Sequence, residues 1–422
     1  MGSCPFVRAQ ADLRIQVART NQDVEVSWTV KTLVPPPGVG VFASYLIFAS
    51  SNLVDWRVVS ARIDGLELAD EKAHGSFPLG QPQLFFKVES LLDFHGQNVM
   101  RLRLDRGNLE GATFAGCDFF GASLNEANLR RANLQATDFR FASMIDANLR
   151  GADLRGADFS NANLTRAKLQ GALASFVDFT GANLTEADFA GADLRFTSLL
   201  DAQIDFIGLQ NTIIDEETLL DPKTRLIWEL VNGRKVGATI SNELLAVSNF
   251  READLRNTKW IGTDIRGSDL AQADLTGANL MGARLEFASF RGTIIDESTT
   301  MPEKWRLVWR LNNEDFSGAN LSGRDLSNAA LAEVRLAGAV LTNANMQQCI
   351  LLDGNFEGAN LQRARLRQAT ASGINLKNAD LRGADLSFTD LTDATLLGAT
   401  ISGANLTGVL FGNTTMPDGR VR

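Results

Sequence analysis

A large apolar side chain occupies every fifth position between residues 104 and 214, with one interruption at Ala174. Two positions before each large residue stands a small one, usually alanine as at Ala112, with Cys117 and Thr137 among the variants. Between the two lies most often Asn, Asp, Ser or Thr. The large positions of this five-residue repeat are Leu104, Leu109, Phe114, Phe119, Leu124, Leu129, Leu134, Phe139, Met144, Leu149, Leu154, Phe159, Leu164, Leu169, Phe179, Leu184, Phe189, Leu194, Leu199, Ile204, Leu209 and Ile214.

A period of five residues fits neither the 3.6-residue period of a helix nor the two-residue period of a strand, so each repeat must contain a turn. If each pentapeptide forms one side of a square, four of them make a coil of about twenty residues. One large and one small residue per side would fill its narrow interior, and the other three positions would face water. The glycines at Gly151 and Gly181 suit a tight turn. The pattern predicts a four-sided β-solenoid.

The same spacing returns in two later blocks. The second block runs from Phe250 to Ile295, and Ile240 is a candidate for an earlier start. The third block runs from Phe316 to Phe411. The sequence therefore predicts three stretches of solenoid separated by two interruptions.

The tracts Ala152–Gly156 and Ala278–Gly282, with the sequences ADLRG and ANLMG, resemble the pentapeptide-repeat family. The resemblance extends over roughly three quarters of the chain and many consecutive repeats. It implies the known fold of that family, a right-handed quadrilateral β-helix. The expected fold class is thus all-β, a pentapeptide-repeat solenoid with a small N-terminal β-sandwich and short helical connectors.

The two interruptions are copies of one another. Residues 212–232 recur at 293–313 with an offset of 81, including Trp228 and its counterpart Trp309. Each copy has a proline near the start of a short apolar run, which predicts one or two helical turns. The connectors resemble those of many cyanobacterial pentapeptide-repeat proteins. Trp228, Trp305 and Trp309 are candidate interaction residues; they either anchor the helices on the outer face of the solenoid or help to form a partner surface.

The first hundred residues lack the repeat and alternate as strands do. We expect strands at 13–17, 24–29, 45–49, 56–59 and 84–89, forming a small antiparallel sandwich. Val26-Ser27-Trp28, Tyr45–Trp56 and Phe85–Val88 resemble bacterial fibronectin type III-like modules with a Ser-x-x-Leu-x-x-Trp turn, which implies a binding or spacer module. Trp28 and Trp56 are core residues or a carbohydrate platform. The predicted boundaries are 1–100 for this module, 101–216, 238–296 and 314–412 for the solenoid blocks, 217–237 and 297–313 for the connectors, and 413–422 for the tail.

Composition excludes several classes of protein. The formal net charge is −9, and no segment has the basic stripe that neutralises phosphates, so nucleic-acid binding is not expected. No stretch approaches the ~20 apolar residues of a membrane span. The N-terminal residues Met1–Phe6 lack the apolar run of an export signal, unless Met1–Ser3 has replaced one. Cys4, Cys117 and Cys349 are too scattered for disulfides or a metal, which favours a cytoplasmic protein, with Cys117 and Cys349 buried and inert.

The usual signatures of catalysis are missing from the repeats. Both histidines, His74 and His95, belong to the front module, so the solenoid has no imidazole for general-base chemistry. The sequence has no phosphate-binding loop, zinc spacing or dinucleotide fingerprint. Aspartates such as Asp153 and Asp188 hold the regular slot before a large residue and are expected to be outward-facing, solvated groups. We therefore expect no catalytic residue, no cofactor and no metal.

The sequence favours a non-enzymatic scaffold, a rigid solenoid rod whose front module binds an unidentified protein partner. The alternative, implied by the resemblance, is a DNA-mimicking regulator of DNA gyrase or another nucleic-acid enzyme; it requires a continuous acidic stripe. An open solenoid end exposes unpaired strand edges, so we expect a tail-to-tail homodimer through Leu406 and Phe411. Thr414–Asp418 repeats Thr299–Glu303 at an offset of 115, which predicts the start of a third connector.

Overall fold

The computed structural model describes residues 104–422 in full and five strands in the first hundred residues. The chain divides into two compact units, Met1–Asp221 and Pro222–Arg422. The boundary coincides with the start of the first helix, α1 (Pro222–Val231).

The front strands pair antiparallel. They are β1 (Asp12–Arg19), β2 (Asp23–Lys31), β3 (Tyr45–Ala49), β4 (Arg57–Arg62) and β5 (Ala73–Pro78). One sheet has the order β1-β2-β5, and β3 pairs with β4 across an irregularity in register between Ile47 and Phe48. The sequence did not predict β5, because Gly75 and Pro78 interrupt any apolar alternation. The predicted strand at 84–89 lies outside the described residues, and the sandwich and the fibronectin-like module stay predictions.

The solenoid of the first unit is four-sided, as the repeat predicts. Parallel bridges join residues twenty positions apart, for example Asn108 to Asn128 and Asn128 to Asn148, and a bridge recurs at every fifth residue. Each coil therefore contains four pentapeptide sides, with the middle of every side hydrogen-bonded to the side above and below. The backbone N–H of Asn128 donates to the carbonyl of Gly107 at 2.8 Å, and that of Leu129 donates to Asn148 at 2.8 Å.

One large and one small residue from each side fill the interior. Almost all of the predicted large positions between 109 and 199 are fully buried, and so are the alanines two positions before them. Phe119, Phe139, Phe159 and Phe179 stack in a column with ring centroids 5.0, 4.8 and 5.2 Å apart. These distances are close to the ~4.8 Å spacing of neighbouring strands, so the backbone ladder fixes the stacking of the rings.

Nearly every corner of the coil uses a residue with left-handed backbone geometry. This residue lies two positions after the large one; it is often a glycine, such as Gly156 with φ +70°, but also Asn161 with φ 59° and Phe176 with φ 62°. The residue before the large one caps the corner: Asp118 Oδ1 accepts the N–H of Phe120 at 3.0 Å, and Asn163 Oδ1 accepts that of Thr165 at 3.1 Å. These caps correct our expectation that the Asp slot holds merely solvated groups.

Hydroxyl and thiol groups in the small inward slot bond to the coil before them. Thr137 Oγ1 donates to the carbonyl of Phe114 at 2.9 Å, and Thr389 Oγ1 donates to that of Leu366 at 2.7 Å. Cys349 Sγ makes the equivalent contact with Leu326 at 2.8 Å. A polar atom is therefore tolerated inside the solenoid because a carbonyl oxygen lies within reach at this slot.

The second unit contains α1, two solenoid stretches and a second helix, α2 (Glu303–Asn313). In its first coils the strands β6 (Thr239–Ser241), β7 (Lys259–Asp264) and β8 (Asn279–Arg284) form a parallel sheet in that order. The helices fall within the predicted connectors. Neither helix, nor any other in the described part of the chain, is long and apolar enough to cross a membrane.

One extra residue precedes each helix. The last bridges before α1 and α2 join Ser198 to Leu219 and Asn279 to Thr300, an offset of 21 instead of 20. The five-residue spacing therefore shifts by one residue within the last side of the coil. At the other end of this unit, Thr415 pairs antiparallel with Val421, so residues 414–422 form a hairpin and not a helical connector.

The phenylalanine column gives a direct test of core packing. Phe139→Ala would leave a cavity between two neighbouring rings, and we expect the free energy of unfolding to fall by about 3–5 kcal/mol. Phe141→Ala is the matched control, because Phe141 is 57% exposed, and its effect should stay within about 0.5 kcal/mol. Urea titration followed by far-ultraviolet circular dichroism measures both; equal effects would contradict this account of the core.

Candidate interaction surfaces

The helix α2 is bonded to the coil that precedes it. Trp309 Nε1 donates to the carbonyl of Thr293 at 2.7 Å, and Asn313 Nδ2 donates to that of Phe290 at 2.9 Å. The guanidinium of Arg306 donates to the carbonyl of Thr299. Trp305 is 7% exposed and belongs to the buried face of the helix. The tryptophans of α2 therefore hold the helix to the solenoid of its own chain.

The same helix also contacts the coil that follows it. Lys304 Nζ lies 3.0 Å from Asp325 Oδ2, and Asn312 Nδ2 donates to the carbonyl of Ala330 at 2.9 Å. The N–H of Phe287, before the helix, donates to the carbonyl of Asn328, after it, at 2.7 Å. Helix α2 is therefore inserted between two coils that also remain in direct contact.

Helix α1 holds its tryptophan in a similar way. Trp228 is 6% exposed, and the guanidinium of Arg234 lies 4.7 Å from its ring centroid. Lys223 Nζ donates to the carbonyl of Ala246 at 3.4 Å in the same unit. Burial removes Trp228 from direct contact with a partner. Whether either helix braces a partner surface stays a prediction.

The two other candidate residues lie near the C-terminal hairpin. Leu406 and Phe411 are half-buried, whereas Leu386 and Leu391 in the preceding coil are fully buried. The guanidinium of Arg422 lies 5.2 Å from the ring centroid of Phe411. Both candidates thus keep partial exposure, and the tail-to-tail contact stays a prediction.

A groove of about 370 Å³ opens beside the C-terminal end of α2. Its lining includes Arg251, Arg291 and Arg335. Arg291 is held by Glu333 through two hydrogen bonds of 2.6 and 2.7 Å. The guanidinium that would bind an anion there already has a carboxylate partner, so the groove does not form a prepared anion site.

An arginine one position after the large residue often pairs with the capping aspartate. Arg155 Nη2 lies 2.6 Å from Asp153 Oδ2, and Arg382 Nη2 lies at the same distance from Asp380 Oδ2. Hydrogen bonds from Arg382 lower the pKa of Asp380. Such a pair neutralises the charge of its own aspartate, and exposed pairs of this kind contribute little to stability.

One side of the first unit carries an aspartate on four consecutive coils. Asp118, Asp138, Asp158 and Asp178 are joined by consecutive bridges, and their carboxylates form a column on the outside of the phenylalanine column. We call residues 117–121, 137–141, 157–161 and 177–181 the acidic side. Its one arginine, Arg140, lies 2.6 Å from Asp138 Oδ2 and 3.6 Å from Asp158 Oδ2. The column therefore keeps a net negative charge.

Aromatic rings lie at both edges of the acidic side. Phe176 and Phe196, at the corners leading into residues 177–181 and the coil above, stack with ring centroids 4.5 Å apart and planes at 4°. They are 62% and 44% exposed, and we call them the aromatic pair. At the opposite edge, Phe120 and Phe141 have ring centroids 5.3 Å apart.

Comparison with known sequences identifies the repeat. The profile described as "Pentapeptide repeats" matches eight times and covers more than half of the chain. The matched residues are 101–135, 132–171, 175–205, 248–286, 261–295, 315–353, 359–398 and 374–413. The chain belongs to the pentapeptide-repeat family. This family generally lacks enzymatic activity.

Several solved pentapeptide-repeat structures are similar to this chain. HetL, involved in heterocyst differentiation regulation in the cyanobacterium Nostoc sp. strain PCC 7120, is 21% identical; the match covers 78% of this chain and 93% of HetL, with a TM-score of 0.13. A protein of the Arabidopsis thaliana thylakoid lumen is 33% identical over 23% of this chain and 65% of its own, with a TM-score of 0.14.

The plasmid-mediated fluoroquinolone resistance protein QnrB1 is 15% identical over 53% of this chain and 92% of its own, with a TM-score of 0.17. TM-scores this low do not allow a function to be inferred from the structural similarity. A search of curated proteins finds no match. Membership of the pentapeptide-repeat family therefore rests on the repeats themselves.

Several carboxylates and both described cysteines of this pentapeptide-repeat chain belong to the corners and the core of the fold. Between residues 104 and 422, no cluster of three or more His, Cys, Asp or Glu side chains could hold a metal ion. Cys117 and Cys349 are buried as expected, and burial raises the pKa of the Cys349 thiol to about 12. Every carboxylate with a displaced pKa in this part of the chain has it lowered, as at Asp138, where Arg140 donates hydrogen bonds.

The turn before α2 concentrates hydrogen bonds on Asp296. Its carboxylate accepts from Ser298 Oγ at 2.8 Å, from the N–H of Gly277 at 3.1 Å and from the N–H of Thr299 at 2.9 Å. These bonds lower the pKa of Asp296 to about 2. The equivalent Asp215 in the first unit accepts the N–H of Phe196 at 3.1 Å. The sequence showed this Asp as part of a repeated connector, but not as the acceptor that shapes the extra-residue turn.

The pKa of Asp296 predicts how acid affects the second unit. The ionised carboxylate stabilises the folded state fully above pH about 4, and this contribution is lost as the pH falls towards 2. Asp296→Asn should therefore lower the urea midpoint at pH 7, and its difference from the parent chain should shrink between pH 4 and pH 2. Glu297→Gln, which removes the neighbouring exposed carboxylate, is the control. A difference that does not change with pH would refute the role of the charge.

Proposed function

We propose that this pentapeptide-repeat protein is a non-enzymatic interaction scaffold. The main support is that its polar side chains stabilise the corners of the coils. Carboxylates such as Asp118 cap corners, and those such as Asp153 and Asp380 also pair with arginines. A general acid at neutral pH needs a raised pKa, whereas the displaced carboxylate pKa values here are lowered. The side chains thus support a rigid surface and not proton transfer.

The front module is the second part of the proposal. Its strands β1, β2 and β5 pair in one sheet and β3 pairs with β4. A fibronectin type III-like module would suit a partner-binding role, and the Ser-x-x-Leu-x-x-Trp sequence motif of residues 50–56 supports this reading. We also propose that the solenoid winds in a right-handed sense and that the protein is cytoplasmic.

Mimicry of DNA is the weaker candidate. Duplex DNA carries about one negative charge per 1.7 Å along its axis. The acidic side offers one carboxylate per coil, or about one per 4.8 Å, over four coils, and the column ends at Ser198. Arg140 neutralises part of it. The charge is therefore too sparse and too short to reproduce a duplex, although it can still attract a basic protein.

Affinity capture tests the scaffold proposal. The full chain, tagged and crosslinked in an extract, should enrich at least one protein in near-stoichiometric amount, with crosslinks to residues 1–100 or to the outer sides of the coils. Excess untagged chain should compete the partner away, which separates specific capture from adhesion. If no protein is competed, the chain does not act as an interaction scaffold under those conditions, and the proposal fails.

A further inference from the structure

The acidic side has a charge that its own fold does not need. The cap at each corner requires only one acceptor oxygen, and asparagine supplies it in the neighbouring repeats. Asn183 Oδ1 accepts the N–H of Thr185 at 3.0 Å, and Asp178 Oδ1 accepts that of Thr180 at 2.8 Å. Like charges stacked on neighbouring strands repel each other and destabilise a sheet. The caps alone would accept asparagine at these corners, so they do not require the four aspartates.

The aromatic pair is also unfavourable for the fold alone. Phe176 and Phe196 hold the left-handed corner position with φ of 62° and 57°. Glycine adopts this conformation freely, whereas a side chain there costs roughly 1–2 kcal/mol. The rings remain 62% and 44% exposed, so burial in the core does not repay the strain. Exposed phenylalanines hold the same corner position at Phe141 and Phe388, so the strain belongs to the repeat, and the parallel stacking of two exposed rings is what distinguishes this pair.

Arg140 shows how this surface accommodates a cation. Its guanidinium contacts Asp138 at 2.6 Å and Asp158 at 3.6 Å, and it lies 5.7 Å from the ring centroid of Phe120. A carboxylate pair and an aromatic ring therefore bind one arginine at the first end of the acidic side. This combination of ion pairing and cation–π contact favours arginine over lysine.

The other end of the acidic side repeats these components without an arginine from the chain. The positions equivalent to Arg140 are the small Ser160 and Thr180, which leave space above the carboxylates. Among the described residues, Asp178 forms no salt bridge. The aromatic pair lies at the adjoining edge, at the corner that leads into Val177 and Asp178. Carboxylates and rings are thus available together for an incoming cationic group.

Apolar side chains continue beyond the aromatic pair. Leu173 and Ile213 belong to the same side as the pair and are 45% and 52% exposed. They are linked through Asp193 by consecutive bridges, so they lie two coils apart on one face. A partner would therefore meet negative charge on one side of the corner and, on the other, apolar side chains that flank the Asp193–Arg195 ion pair.

We propose that the acidic side and the aromatic pair together bind an arginine-rich protein segment that also carries a stripe of apolar or aromatic residues. Its arginines would extend the row begun by Arg140, which already contacts Asp138 and Asp158, by pairing with Asp178, and its apolar stripe would cover Phe176 and Phe196. The proposal rests on the scaffold function and names the surface and the partner chemistry that this function uses.

Fluorescence anisotropy with a synthetic helical peptide tests this assignment on the full chain. The peptide has a stripe of arginines beside a stripe of leucines and phenylalanines, and a second peptide has the same composition in scrambled order. Binding of the striped peptide should weaken with salt, because exposed charges are screened. The scrambled peptide should bind at least about fivefold more weakly, since its two stripes cannot face both surfaces together.

Two double variants separate charge from apolar contact. Asp158→Asn with Asp178→Asn keeps the corner caps and should weaken binding by about tenfold. Phe176→Asn with Phe196→Asn keeps residues that tolerate the left-handed corner, as Asn161 does, and should weaken it by about fivefold. The matched control is Phe388→Asn with Asp390→Asn in the second unit, where Phe388 has φ 58° and is 53% exposed. It should change affinity by less than about twofold.

The outcomes are decisive in both directions. Loss of binding in both double variants, with the control unchanged, supports the surface. Absence of binding, equal binding by all variants, or a loss confined to the aspartate variant would overturn it, the last because charge alone would then explain the contact. Circular dichroism of each variant checks that the fold is intact. If the peptide fails while affinity capture still yields a competed partner, the scaffold function stands and only this surface is wrong.

Discussion

The corner that closes every fifth residue is the constraint on which this structure depends. Each side can place one large and one small side chain in the interior only if the chain turns before a third side chain points inward. Nearly every turn uses a left-handed residue, and where Asp or Asn stands before the large residue its side chain accepts the N–H that the corner leaves unpaired. Glycine or a tolerant polar residue often takes the left-handed position, and the side-chain oxygen of Asp or Asn caps the corner, as at Asp118.

The difference between interior positions and corner positions explains why the core could be predicted from the sequence and the surface could not. The periods of large and small residues and the four sides follow from spacing, because interior volume restricts which residues fit. The two connectors were visible because one recurs as a copy of the other at an offset of 81. The burial of Cys117 and Cys349 followed from the same argument. The strand β5 and the hairpin at 414–422 depend on pairings that no local pattern encodes.

The role of the aspartate before the large residue was predicted wrongly for a physical reason. An aspartate outside a core looks solvated in a sequence, whereas here its oxygen caps a corner and often pairs with an arginine. The recurrence of Arg two positions after Asp, as in Asp153 and Arg155, was a signal that could have revealed the pairs. The column of aspartates was hidden because its members are twenty residues apart. Only the coil length shows that Asp118 and Asp138 are neighbours.

The equivalence of Asp and Asn as corner caps separates the charge of each side from the stability of the coil. Both side chains offer the same oxygen, so exchanging one for the other changes the charge by one while the backbone, the core and the neighbouring coils keep their geometry. The solenoid can therefore evolve a new electrostatic pattern one corner at a time. A single scaffold of this kind can acquire, shift or lose an affinity for charged partners without passing through an unfolded intermediate sequence.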